Sequence, residues 1–322
     1  MPLVLVVSNT KDGHVERVTD LLLAAGHQFA RFDTDRVGSG CSVSFTDDGI
    51  DARARLIVDD HCIEASELQS VWWRRPEAIK LHDDFETDVA RFVEHEWTAA
   101  VHGVLRTIEG RWVSHPESIK LANHKLLQLK AAHAVGFATP ATCVSADPAV
   151  VRAFCESHDY QVVAKLVNAG PPRVDPPAHQ YMVYTTPVTR EDLLSDTALA
   201  AAPAIYQAYV EKDHELRVTV VGDEVYACAI ESQSTAGTAI DWRHYDLEHT
   251  PHRAVELDPS VRRACLELTR HFNLKFSAID LVVSPTNDVV FLEINPNGQW
   301  GWIEDMTDLP IARALADLLT LD

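Results

Sequence analysis

Two apolar segments near the C-terminus, Ala278–Val283 and Val289–Asn295, predict a β-hairpin that carries charge on one face. The residues that link them are rich in the turn formers Pro, Thr, Asn and Asp. If Thr286-Asn287 forms a two-residue turn, Asp280 lies directly opposite Glu293. The hairpin therefore predicts two carboxylates that face each other within an otherwise apolar sheet.

Asn295 adds an amide to the same face, because side chains alternate along a strand and Asn295 follows Glu293 by two residues. Two carboxylates directly opposite each other repel unless a cation lies between them. Mg²⁺ prefers oxygen ligands and often combines one or two carboxylates with substrate phosphates. The pattern predicts a magnesium site, and a solvated acidic face is the alternative.

The first third of the chain alternates strand and helix patterns, which predicts an α/β domain with a parallel sheet over residues 1–113. The turn after the first strand has no G-x-G-x-x-G sequence, so a dinucleotide site is not indicated. The predicted elements are strands at Leu3–Ser8, Gln28–Asp33 and Ser70–Arg74 and helices at Val15–Ala25 and Phe85–Ile108.

Two further regions follow, residues 114–204 and 205–322. The second opens with Ser114 and Glu117, the spacing of a capping box, which predicts one helix ending at Gly136. The proline-rich stretch 168–178 is either a loop that closes over a ligand or a linker. The third region is rich in strands, with a hairpin turn at Gly222-Asp223 and helices at Pro259–Phe272 and Leu309–Leu319.

Composition limits the classes of partner. The net charge of −20 disfavours nucleic acid, and no apolar stretch is long enough to cross a membrane. The N-terminus has no basic region of the kind that begins a signal peptide. The six cysteines are scattered without a CxxC pair, so we expect free thiols and a cytoplasmic protein.

Other charged residues stand at positions where an anion could use them. Lys125 lies in a predicted helix, and Lys165 ends the apolar strand Gln161–Leu166, where burying an ammonium is costly without an anion. Each lysine could instead extend its ammonium to solvent. Glu215 and Arg217 share one face of a strand, and Arg243 lies in an aromatic and basic segment, 241–246.

The order of these features along the whole chain resembles the ATP-grasp superfamily. Four segments are similar to graspetide synthetases, the microviridin-type maturases of ribosomal peptides: Val71–Pro76, Tyr209–Arg217, Asp241–Arg243 and Asn295–Trp300. The resemblance implies a pre-ATP-grasp α/β domain at 1–113 and a two-part α+β ATP-grasp fold. In that fold 114–204 is the central subdomain, and 205–322 is the C-terminal subdomain with the metal site.

The resemblance also implies a role for each candidate residue. Lys125 and Lys165 would hold the ATP phosphates, Gln207, Tyr209 and Val210 would line the adenine, and Glu215 would bind the ribose. Two Mg²⁺ ions would be ligated by Asp280, Glu293 and Asn295, while Arg217 and Arg243 would face the γ-phosphate and the acyl phosphate. His244 and Asp246 are unranked candidates for a general base.

Arg74 and Arg75 end a strand of the first domain, a place where α/β sheets present side chains to ligands. An arginine can hold a carboxylate with two hydrogen bonds, so both are candidates for substrate binding. The alternative for this acid-rich chain is a surface ion pair.

The function implied by the resemblance is ATP-dependent closure of macrocyclic esters or amides in a precursor peptide that consists of a leader and a core. An Asp or Glu side chain would be activated as an acyl phosphate and attacked by Thr, Ser or Lys, and a homodimer is expected. Three alternatives remain: a ligase that adds an amino acid such as glutamate to a protein or amine, a noncatalytic ATP-binding interaction protein, and an α/β binding protein that uses no ATP. The sequence leaves open the ring size, the core residues that react and the choice of ester or amide.

Overall fold

The computed structural model describes residues 3–79, 87–167, 185–234, 240 and 250–321. Within it the chain divides into two units. The first consists of Met1–Ile119, Asn273–Phe276 and Pro310–Asp322, and the second of Lys120–Phe272 and Ser277–Leu309. The predicted loop 168–178 and the predicted site residue Arg243 lie outside the described residues.

The first unit contains the predicted parallel sheet, with strand order β2-β1-β6-β7. Its inner strand β1 is apolar up to the final Ser8 because both neighbours and both faces enclose it, and Val4 to Val7 have no exposed surface. The strands are β1 (Leu3–Ser8), β2 (Gln28–Asp33), β6 (Leu68–Trp73) and β7 (Arg111–Val113), and the helices are α1 (His14–Ala24) and α2 (Thr87–Leu105).

A small antiparallel sheet of three strands, β3 (Cys41–Asp47), β4 (Ala52–Val58) and β5 (His61–Glu64), was not predicted. The turn between β4 and β5 is Asp59-Asp60, and both residues have positive φ angles, 47° and 66°. Such a turn normally contains glycine or asparagine, although aspartate tolerates it. The turn was therefore hard to recognise in the sequence.

The C-terminal helix α9 (Ile311–Thr320) belongs to the first unit, although the sequence assigned it to the third region. The Ser70 hydroxyl donates to the Leu319 carbonyl at 2.7 Å, and Arg111 donates to the carbonyls of Leu318 and Leu321. The apolar face of α9 packs on α1 and β6, so the end of the chain completes the core of its first domain.

The helix predicted to run from Ser114 to Gly136 is two helices, α3 (Pro116–Ala122) and α4 (Lys125–Ala134). The capping-box prediction is wrong, because the Ser114 hydroxyl accepts hydrogen bonds from the amides of Lys275 and Phe276 instead. The break places Lys125 at the first residue of α4.

The second unit contains a four-stranded sheet of order β10-β9-β11-β8 and a five-stranded sheet of order β14-β13-β12-β15-β16. The first comprises β8 (Thr142–Ser145), β9 (Val162–Lys165), β10 (Thr186–Pro187) and β11 (Ala204–Ala208), with helices α5 (Pro148–Ser157) and α6 (Asp196–Ala200). The second comprises β12 (His214–Val221), β13 (Glu224–Ile230), β14 (His252–Val255), β15 (Phe276–Val283) and β16 (Val289–Asn295), with α7 (Pro259–His271) and α8 (Gly301–Thr307).

The β15–β16 hairpin has the predicted pair, with Asp280 opposite Glu293. The predicted two-residue turn is wrong, however, because Val283 pairs with Val289 and a longer turn contains Asn287 at a φ of 70°. The register then shifts by one residue beside Asp280, at a bulge. The longer turn and the bulge each shift the strand pairing by one residue, in opposite directions. The predicted pair of carboxylates is therefore correct although the predicted turn is not.

Candidate functional site

One face of the five-stranded sheet carries three of the charged residues that the sequence singled out, Arg217, Asp280 and Glu293. The Nη1 atom of Arg217 on β12 donates to both oxygens of Asp280 on β15, at 2.8 and 2.9 Å. Both side chains are almost entirely buried. Because Asp280 is opposite Glu293, the arginine and both carboxylates project from the same face of the sheet.

The remaining charge on this face is balanced by Lys125. Its Nζ atom lies 3.4 Å from Oε2 of Glu293. The side-chain nitrogen of Asn295 donates to Asp280 at 3.0 Å and to Glu293 at 3.3 Å. Two carboxylates thus meet two cations and an amide, and this arrangement removes the repulsion that the facing pair would otherwise suffer.

The turn after β16 encloses Arg217. The Gly298 amide donates to the Asn295 carbonyl at 3.2 Å, and Nη2 of Arg217 donates to the Gln299 carbonyl at 3.1 Å. A Cβ atom at Gly298 would lie only 2.7 Å from Nη2 of Arg217 and would overlap the Cβ of Ala278. Only glycine therefore fits at this position while the guanidinium stays in place.

Gln128 was not singled out in the sequence, yet it joins α4 to β16. Its amide nitrogen donates to the carbonyls of Ala122 and Ile294, at 2.7 and 2.9 Å, and its oxygen accepts from the Ile294 amide at 3.2 Å. Ile294 lies between Glu293 and Asn295, so this bridge fixes Lys125 and the carboxylates in one frame. The sequence offered no local signal for this bridge, because Leu126 and Leu127 beside Gln128 are exposed while the glutamine is buried.

The donor set suits magnesium. In the part of the chain that the structure describes, no three side chains of His, Cys, Asp and Glu gather into a metal site. Asn295 lies beside Asp280 and Glu293, and its amide oxygen would face the two carboxylates if the amide were rotated by half a turn. Carboxylate and amide oxygens are hard ligands, and each carboxylate oxygen can accept from an arginine and also bind a cation.

Besides Lys125 on α4, the predicted nucleotide residues lie on β9, on β11, in the segment that joins β11 to β12 and on β12 itself. Gln207 is buried on the inner strand β11, and its amide nitrogen donates to the Thr142 hydroxyl at 3.1 Å. Lys165 ends β9 opposite Ile205, half-buried. Tyr209 and Val210 are also half-buried. Burial, followed by the charges of Glu215 and Glu211, raises the pKa of Tyr209.

Glu215 has a partner that the sequence did not predict. The ammonium of Lys212 lies 2.5 Å from Oε1 of Glu215 and 3.1 Å from the Ile240 carbonyl, and both charged side chains are 5% exposed. In the sequence this lysine belongs to a run of charged residues that is typical of a solvated link, which concealed its burial.

Arg74 and Arg75 differ sharply. Arg74 is 1% exposed, and its Nε atom lies 3.2 Å from the carboxylate of Asp12, so it forms a buried ion pair and not the surface pair given as the alternative. Burial alone would raise the pKa of Asp12, but the hydrogen bond with His14 and the charge of Arg74 hold it well below its ordinary range. Arg75 is exposed and its carbonyl accepts from Asn9 at 2.7 Å. Substrate binding stays a prediction for both, and only Arg75 is accessible.

Two protein-family models match successive parts of the chain. Residues 3–120 match the MvdD pre-ATP grasp domain, and residues 122–319 match the RimK-like ATP-grasp domain. The chain belongs to the RimK-like ATP-grasp family. The predicted fold class, a pre-ATP-grasp domain followed by an ATP-grasp fold, is confirmed, and so is membership of a family of ligases. No curated protein matches the sequence.

Solved structures of ATP-grasp enzymes resemble the chain over nearly its full length. Macrocyclase MdnC of Microcystis aeruginosa MRC, bound with precursor peptide MdnA, is 31% identical, with 98% of each chain covered and a TM-score of 0.88. A RiPP-associated ATP-grasp ligase of Chryseobacterium gregarium, in complex with ADP and a leader and core peptide, is 28% identical, with 99% of this chain and 96% of that chain covered and a TM-score of 0.91. Macrocyclase MdnB of Microcystis aeruginosa MRC is 29% identical over the whole of both chains, with a TM-score of 0.83.

Replacing Gly298 by alanine should displace the guanidinium of Arg217 and lower ATP turnover at least tenfold, because the new Cβ occupies the position beside Nη2. The rate of ADP formation in the presence of peptide substrate measures this loss. Gly103→Ala is the matched control, since a Cβ there meets nothing within 4 Å. An ATP-grasp site that tolerated Gly298→Ala with full activity would contradict the close packing described.

Replacing Gln128 by leucine should destabilise the second unit by about 1–3 kcal/mol, because it leaves buried backbone groups of Ile294 and Ala122 without partners. Chemical denaturation of the variant and of Lys130→Leu, at an exposed position on the same helix, gives the comparison. Equal stability of the two variants would show that the bridge does not hold α4 to β16.

Proposed function

We propose that this chain is an ATP-dependent ligase that closes macrocyclic esters or amides in a ribosomally made precursor peptide. The observation that carries the proposal is the charge-balanced face formed by Arg217, Asp280, Glu293 and Lys125, in a chain of the ATP-grasp family. Two of the similar structures are macrocyclases, and two contain a precursor peptide or its leader and core. These likenesses support a peptide substrate.

The first step that the site supports is phosphorylation of an Asp or Glu side chain of the peptide. A carboxylate oxygen forms a bond to the γ-phosphorus of ATP, the bond to the β-phosphate oxygen breaks, and ADP and an acyl phosphate result. This reaction requires positioning and charge neutralisation rather than a nucleophile from the protein. Lys125, Lys165 and Arg217 supply positive charge, and Asp280, Glu293 and Asn295 would hold magnesium, which neutralises further phosphate charge when bound.

The second step joins the activated carboxylate to another side chain. A hydroxyl of Thr or Ser, or the amine of Lys, bonds to the acyl carbon, and the bond from carbon to phosphate oxygen breaks. The nucleophile loses its proton to a base, and inorganic phosphate leaves. We assign Arg243 the role of orienting the acyl phosphate, because an arginine fork holds such a group with two hydrogen bonds.

Several finer features also remain part of this proposal. Two Mg²⁺ ions would be held by Asp280, Glu293 and Asn295 and would neutralise phosphate charge. The partner would be a peptide with a leader and a core, and the enzyme would act as a homodimer in the cytoplasm. The six free cysteines support a reducing compartment. Among the described residues, no helix is long and apolar enough to cross a membrane. We retain 114–204 and 205–322 as the proposed limits of the two ATP-grasp subdomains.

Each ring closure should lower the mass of the precursor peptide by about 18 Da, because one water is lost in forming an ester or amide through an acyl phosphate. Mass spectrometry after incubation with ATP and Mg²⁺ measures this loss, and the same mixture without ATP is the control. Mass increases equal to added amino acids would establish the amino-acid ligase instead.

Asp280→Asn and Glu293→Gln should each abolish ATP turnover and ring closure, since each removes a metal ligand and one half of a charge pair. Asp280→Asn should also lower the thermal midpoint more than Glu293→Gln, because it leaves the buried Arg217 with less compensation. ADP release and thermal melting are measured on both variants. Glu211→Gln, an exposed carboxylate of the same unit, is the control. Near wild-type turnover in either site variant would exclude the metal site.

A further inference from the structure

The buried pair of Lys212 and Glu215 has a fixed geometry. Lys212 donates to Glu215 and to the Ile240 carbonyl, so the ammonium is held from two sides. The segment that carries it is also anchored at both ends. The Tyr209 amide donates to the Gln161 carbonyl and the Asp213 amide donates to the Val283 carbonyl, each at 2.8 Å.

Such a pair is not explained by stability. Lysine and glutamate are rarely buried, and removing both charges from water costs about as much as their attraction returns. Here both side chains are 5% exposed, although the surrounding segment is polar and could have placed them in solvent. We therefore expect the pair to contribute mainly by fixing the orientation of the Glu215 carboxylate.

We propose that Lys212 is a positioning residue that holds the Glu215 carboxylate in the orientation that binds the ribose hydroxyls of the nucleotide. This inference rests on the proposed function, in which Glu215 is the ribose ligand. A carboxylate can accept about four hydrogen bonds, so the bond from Lys212 is compatible with two more from a ribose. Because Ile240 and the anchored backbone fix the ammonium, Oε1 of Glu215 has one preferred position.

Removing Lys212 should lower the affinity only for nucleotides that carry ribose hydroxyls. A ligand without ribose hydroxyls gains nothing from the orientation of Glu215, whereas ADP gains two hydrogen bonds to a charged acceptor. Each such bond contributes roughly tenfold or more to affinity. Loss of Lys212 should therefore weaken ADP and spare 2′,3′-dideoxy-ADP.

Isothermal titration calorimetry of the full chain with Mg²⁺ and each nucleotide provides the test, with the ratio of the two affinities as its readout. Lys212→Met should weaken ADP at least tenfold and leave dideoxy-ADP within about twofold of the wild type. Lys130→Met, which replaces an exposed lysine of the same unit, should leave both affinities unchanged. If Lys212→Met does not fold, Lys212→Gln keeps a donor at the same position and should show the same selective loss in smaller degree.

The variant Glu215→Gln tests the ribose assignment of Glu215 separately from the positioning role of Lys212. If it leaves the affinity ratio unchanged, the ribose assignment itself is wrong. The other contrary outcome is that Glu215→Gln abolishes the preference for ADP over dideoxy-ADP while the folded Lys212 variants keep that preference or lose affinity for both nucleotides equally. In that case Lys212 is a structural counter-ion and the inference is overturned. A collapse of the ratio in both Glu215→Gln and the Lys212 variant supports it.

Discussion

The ion pair between Arg217 and Asp280 is the interaction on which the rest of the site depends. Asp280 faces Glu293 across two strands, and two such carboxylates can share an apolar sheet only when cations compensate them. Arg217 from β12 and Lys125 from α4 supply that compensation. The turn at Gly298 and the bridge at Gln128 then fix the positions of the two cations. In the proposed function this compensated face would bind magnesium and phosphate, because both require preformed charge at fixed positions.

Part of this arrangement could be predicted from the sequence, because it depends on local periodicity. The alternation of side chains along two short strands placed Asp280, Glu293 and Asn295 on one face, and the parallel sheet of the first unit followed from its alternating elements. The pairing was correct although the turn was not, since a bulge beside Asp280 compensated for a longer turn. Local rules thus identified the charged face of the hairpin without describing the hairpin fully.

The features that were missed depend on contacts between residues distant in sequence. Ser114 has the spacing of a helix cap, but its hydroxyl bonds to the backbone at 275 and 276, more than 150 residues away. The C-terminal helix α9 joins the first unit through Ser70 for the same reason. Lys212 and Gln128 are polar residues, and no local sequence pattern indicated that they are buried. Arg74 likewise reads as a surface residue in the sequence and is buried against Asp12 in the structure.

The central claim is that this sheet face phosphorylates a side-chain carboxylate of a peptide with ATP. It is tested most directly by preparing the precursor peptide with ¹⁸O in its Asp and Glu side-chain carboxylates and analysing the products by mass spectrometry and ³¹P NMR. An acyl phosphate predicts that one ¹⁸O atom appears in each molecule of inorganic phosphate released, with ADP unlabelled. Label in AMP, or phosphate free of ¹⁸O while rings still form, would contradict the account.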